Sequence, residues 1–153
     1  MDRLATHDDA NLILRLYELR REDKMRQARA WFVANFYPAS TAEYFEICPP
    51  GSEQNAWARM VLTYWEMVAS FVDSGVLNDE LFFQSGQELL LTWIRLRPLV
   101  QDWRTTMGNP KTYKNIEAVG ERYIQYWQQH MPGAFEGFQA RVGTRPAQAP
   151  KAS

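Results

Sequence analysis

The chain has 153 residues, 46% of them hydrophobic and 14% aromatic, and a formal net charge of −1. That length can enclose a core and suits one domain, while the apolar content excludes a disordered chain. The near-neutral total gives no support to a nucleic-acid or anionic-membrane partner. The single cysteine, Cys48, cannot form an internal disulfide and fits a reducing compartment. No apolar run approaches the length of a membrane span, and residues 1–15 lack the form of a signal peptide. A cytoplasmic protein is expected.

Taken in order, the spacing predicts a first helix over about 8–19. Thr6, Asp8 and Asp9 supply oxygens and negative charge at its start, and Leu12, Ile13, Leu16, Tyr17 and Leu19 form its apolar side. A second helix runs from Asp23 through Trp31 and Phe32 to Phe36, and Pro38 ends it. The arginines around this junction are interleaved with Glu18, Glu22 and Asp23, so they read as a solvated face. Ser40-Thr41-Ala42-Glu43 has the form of a capping box and opens a short third helix. Cys48-Pro49-Pro50-Gly51 breaks the chain. With no histidine nearby, Cys48 reads as a small buried residue and not a nucleophile.

Residues 55–75 are the longest amphipathic run. Trp57, Val61, Tyr64, Trp65, Val68, Phe71 and Val72 share one face, and Asn55, Arg59, Thr63, Glu66, Ser70 and Asp73 form a narrower polar stripe. An apolar arc wider than half the helix requires at least two neighbours, which makes this the central helix. Gly75 stands where a left-handed C-cap is expected. A second core helix is predicted over 79–104, apolar nearly all round, with a thin stripe of Gln84, Glu88, Arg95 and Asp102. It is the expected principal neighbour of the central helix. Pro98 should kink or divide it, and Gly86 marks either close packing or a weak point. After a break at 106–110, residues 111–130 form an amphipathic helix with Tyr113, Ile116, Val119, Tyr123 and Trp127 inward. A short helix through Phe135, Phe138 and Val142 follows. The fold class is therefore an all-α bundle of five to seven helices, one domain over 1–142, with a disordered tail over 143–153.

Charge is divided along the chain. Residues 40–90 carry a net −7 and residues 91–153 a net +5. Either the two halves attract within one molecule, or two subunits meet this way.

The motifs of chemistry are missing. No Glu-x-x-His pair, zinc ligand set, phosphate loop or Gly-x-Ser-x-Gly elbow occurs, so no cofactor or metal is expected. Glu117 and Glu121 lie one turn apart on a polar face, where solvated carboxylates are ordinary. Glu66 interrupts an apolar run but projects into the polar stripe. Arg97 and Arg104 project onto an apolar side, where an arginine either snorkels or needs a carboxylate. Glu66 with Arg97 or Arg104 is the expected interhelical pair. The functional version is an arginine pair that receives an anionic ligand.

Asn55-x-x-x-Arg59, Tyr64-Trp65-Glu66-Met67-Val68-Ala69, Val72-Asp73-Ser74-Gly75-Val76-Leu77, Trp93-x-x-Leu96-x-Pro98 and Arg104 together resemble an uncharacterised bacterial domain family over about residues 10–105. The resemblance implies an all-helical fold and no mechanism, and it points to Asn55, Glu66, Trp93 and Arg104 as residues the fold needs. The expected function is a non-catalytic interaction domain, acting by self-association or docking to a protein partner. The alternative is a domain for a small anionic or aromatic ligand, less readily an enzyme. Its pocket would lie between helix 55–74 and helix 79–104, lined by Tyr64, Trp65 and Trp93, with Arg97 or Arg104 on the anion.

Overall fold

A computed structural model describes residues 3–147. Among them nine helices form and no strands: α1 (His7–Arg20), α2 (Asp23–Asn35), α3 (Thr41–Ile47), α4 (Glu53–Asp73), α5 (Asp79–Phe83), α6 (Gln87–Leu96), α7 (Val100–Met107), α8 (Lys114–His130) and α9 (Ala134–Val142). The count exceeds the expected five to seven because the 79–104 segment is three helices. One division falls at Pro98, which has no N–H to continue the ladder. The other falls at Gln84–Gly86, where the Phe82 carbonyl accepts from both Ser85 N and Gly86 N. Gly86 is the point of close packing: a Cβ there would stand 2.3 Å from the Phe82 ring.

Starts and stops follow local chemistry. Thr6 and Asp9 make a reciprocal capping box for α1, and Ser40, Ser52 and Asn78 each accept a backbone N–H at the start of α3, α4 and α5. Gly75, just past α4, sits at φ +80°, the left-handed turn anticipated there. The start of α8 lies three residues later than expected. Asn109 Oδ1 accepts from Lys111 N, and Tyr113 adopts φ 56°, so 109–113 coil into turns first. Residues 143–147 have no regular secondary structure. The expectation of disorder beyond them falls on 148–153, outside the described residues.

The central helix α4 packs mainly on α2 and α8, and α6 is a lesser neighbour. This corrects the pairing expected for it. α6 instead lies against α8 and α9, with Trp93 seated directly on Gly120, where a Cβ would approach the indole to 2.4 Å. One cluster of buried side chains runs from Leu16 and Phe32 through α4 and α6 to Tyr123 and Phe138. α1 is loosely covered: only Asp9 and Leu16 of it are buried.

Candidate functional site

Glu66 leaves the α4 stripe towards α8. Its carboxylate accepts from Asn115 N at 3.1 Å, Ile116 N at 2.8 Å and Asn115 Nδ2 at 3.0 Å. The first N–H groups of a helix have no partner inside it, and with Tyr113 at the N-cap α8 has no side-chain cap of its own. Glu66 supplies that cap from another helix, and its charge suits the positive end of the α8 dipole.

The expected pairing of Glu66 with an arginine is therefore corrected. Arg104 donates through Nε to the Thr112 carbonyl at 2.9 Å and through Nη1 to Glu117 at 3.3 Å. Arg97 meets Glu121 at 3.1 Å on the surface, the two side chains 46% and 40% exposed. The physical reason is proximity along α8. Its glutamates at 117 and 121 reach the two arginines, while Glu66 is taken by the backbone. Glu66 and Arg104 both fasten the entry to α8 without touching one another, and Arg97 stands apart. Trp93 is buried, its Nε1 donates to Glu121 at 3.1 Å, and it does not line the cleft that Tyr64 and Trp65 share.

Other charged groups do the same work at other helix ends. Asp9 is 2% exposed and accepts from Arg3 at 2.7 Å, Thr6 N at 2.8 Å and Asn78 N at 2.8 Å. The Arg3 guanidinium and these N–H groups hold its carboxyl well below the usual carboxylate range. Asp102 accepts from Thr41 N at 2.7 Å, which lowers its pKa. Arg95 is buried and donates to the carbonyls of Val33, Phe36 and Val142 and to the Tyr37 hydroxyl, with the Tyr37 ring 3.7 Å away. It closes the C-terminal ends of α2 and α9, whose carbonyls are otherwise orphaned. Burial draws its pKa down. Sequence reasoning missed this residue, because projection places Arg95 on the polar stripe and cannot show that α2 covers that stripe. Glu88, on the same stripe, binds Arg29 at 2.6 Å. Cys48 is buried, and burial pushes its thiol up to about 11, so it is held as an unreactive thiol.

One recess is mainly apolar. A cleft of about 240 Å³ opens between α1, α4 and the α5–α6 turn, with Ile13, Tyr17, Tyr64, Trp65, Phe82 and Gly86 on its walls. Tyr64 and Trp65 lie on this cleft, whose far wall is α1 and not the middle of the 79–104 segment. The Tyr64 hydroxyl donates to the Leu16 carbonyl at 2.6 Å and fixes one edge of α1. At the mouth, Leu14 is 60% and Tyr17 48% exposed. The Arg20 guanidinium lies over the rings of Tyr17 and Trp65, at 5.2 and 5.8 Å, and Trp65 Nε1 is buried without a partner. Among the described residues, no three His, Cys, Asp or Glu side chains gather to hold a metal ion, and no helix is long and apolar enough to cross a membrane.

A family model described as "Domain of unknown function (DUF4760)" matches residues 5–123. The chain belongs to that family. The DUF4760 match takes in α1 through α7 and reaches Tyr123 within α8, so it includes every wall of the cleft and both partners of the Glu66 cap. It leaves out α9, which adds Phe138 against Trp127. No curated protein and no solved structure matches the chain.

Proposed function

We propose that this DUF4760 chain is a non-catalytic docking module whose cleft between α1, α4 and α5 takes an apolar side chain of a protein partner. The observation that carries the reading is the cleft itself, walled by aromatic rings and continued outward by the exposed Leu14 and Tyr17. Exposed apolar surface contiguous with a recess favours association. At about 240 Å³ the recess falls below the roughly 300–1,000 Å³ of pockets that enclose whole ligands, and it suits one or two anchoring side chains. The charged residues that attract attention elsewhere, Glu66, Arg95, Arg104, Asp9 and Asp102, are each engaged at helix ends.

A second reading places a small aromatic acid in the same cleft. It is favoured by the unpartnered Trp65 Nε1 and by Arg20 at the mouth. Ser85 lines the cleft and is exposed, so Ser85→Trp fills it from outside the core. Peptides selected from a display library on the native chain should carry an aromatic or aliphatic anchor and lose binding by about tenfold or more on Ser85→Trp. Selected peptides that ignore Ser85→Trp, or none at all, overturn the docking reading. A cleft that takes aromatic acids and refuses peptides decides for the second.

A further inference from the structure

We propose that the side chain received by the cleft comes from a second copy of this chain, docked antiparallel across α1. The proposal rests on the docking reading above and names its partner. Ala10, Leu14 and Tyr17 follow one another at helical spacing along an exposed flank of α1, and that flank runs into the cleft beside Tyr17. The same surface has opposite charge at its two ends. Near the start of α1, the exposed Leu4 shares a recess with Arg3, Asp79 and Glu80. Arg3 is turned to Asp9 and Asp79 lies 3.9 Å from Arg122, which leaves the exposed Glu80 as the acid facing outward. Near the end of α1, Arg20 and Arg21 flank the Tyr17 ring at 5.2 and 5.5 Å. Arg20 already meets Glu88 at 3.5 Å, so the exposed Arg21 is the cation facing outward.

A two-fold axis near the middle of α1 superposes these ends crosswise. Leu14 of one copy meets Leu14 of the other. Leu4 with its acidic neighbours then faces Tyr17 and the arginines, and the mouth of the partner's cleft. A fourteen-residue helix is about 21 Å long, so the two acidic–basic contacts stand well apart and fix the antiparallel sense. A parallel arrangement would bring like charges together and is disfavoured. Because donor and receiver lie on one face, the contact is isologous and closes at two copies. A contact limited to α1 and the adjoining turn is smaller than the roughly 1,200–2,000 Å² of a standard stable interface, so a reversible dimer of micromolar affinity is expected.

Sedimentation equilibrium of the full chain tests this. The native protein should show a concentration-dependent dimer that weakens with salt. Leu14→Arg should weaken it by about tenfold or more without lowering the melting temperature, since Leu14 is exposed. Glu80→Arg and Arg21→Glu should each weaken it alone. Mixed together they should associate again, because both crosswise contacts are then opposite in sign. A monomer up to about 1 mM, a dimer indifferent to Leu14→Arg, or a mixture that fails to recover overturns the second copy as occupant. If such a monomer still selects peptides that Ser85→Trp abolishes, the docking reading stands and only the partner is wrong. If it selects none, both fall.

Discussion

The carboxylate of Glu66 is worth more to the fold than Arg97, one of the two arginines assigned to it by projection. It satisfies two successive N–H groups at the start of α8, and a lost helix cap costs about 0.5–2 kcal/mol. Arg97 and Glu121 form a half-exposed pair, and exposed pairs contribute about 0–1 kcal/mol. Glu66→Ala should therefore lower unfolding stability by about 1–2 kcal/mol, and Arg97→Ala by no more than about 0.5 kcal/mol. Urea unfolding of the two variants checks the order, and equal losses would contradict it. The difference was not legible from the residues alone. A helical wheel assigns Glu66 to a polar stripe, and only the arrival of α8 shows that the stripe meets backbone donors there and not water. Arg95 repeats the lesson with opposite charge: its stripe position was read correctly, and its burial beneath α2 was not.

Between elements, α6 approaches α8 closely at Gly120. Trp93 rests on Gly120, with the indole where a Cβ would be 2.4 Å away, while Nε1 reaches Glu121 in the same turn of α8. Tryptophan at 93 and glycine at 120 thus form one contact: the ring needs the missing methyl to reach its hydrogen bond. Gly120→Ala improves helix propensity by about 0.8–1.0 kcal/mol but forces the ring aside, and overpacking of this kind costs about 1–3 kcal/mol. A net loss of stability is expected, with a change in tryptophan fluorescence as Trp93 shifts. A gain in stability would show that the ring moves freely. Gly120 follows Val119 on the inward face expected from sequence, and periodicity places it there without naming what it admits. The divided 79–104 segment has the same history. Pro98 announces one break, whereas the break at Ser85-Gly86 is set by the Phe82 ring folding over Gly86.

At the scale of the whole molecule, carboxylates hold helices that are remote in sequence. Asp9 ties α1 to the start of α5, and Asp102 ties α7 to the start of α3. Both are held below their ordinary pKa, Asp9 chiefly by Arg3 and Asp102 chiefly by the Thr41 N–H. A lowered folded-state pKa gives stability that is complete above the unfolded value, about 3.9 for aspartate, and is lost as pH falls through the folded values. Acid should therefore loosen the protein from about pH 4 downward, with stability level above it as far as these groups are concerned. Asp9→Asn should be less stable at neutral pH and show a shallower acid dependence. Unfolding curves at several pH values measure both, and an unchanged acid slope would exclude Asp9 from the effect. The charge division along the chain is partly used within the molecule, where Arg122 lies 3.5 Å from Asp73 and 3.9 Å from Asp79. Glu80, at the start of α5, is the member of the acidic stretch that the proposed dimer would set against Arg21 of a second copy.

The sequence by itself determined the all-helical class, the main stops at Pro38, Gly75, Pro98 and Gly108, and the apolar face of most helices, but not the division at Gln84–Gly86 or the covering of the Arg95 stripe. What it determined follows from 3.6-residue periodicity and from backbone preferences, which act within a few residues. The tertiary structure decided which face meets which. It sent Glu66 to α8 and Arg95 to α2, and it moved the cleft of Tyr64 and Trp65 to the side of α1. Those outcomes depend on contacts between residues tens of positions apart. Periodicity specifies that a face must be covered, while the packing of the other helices chooses the cover.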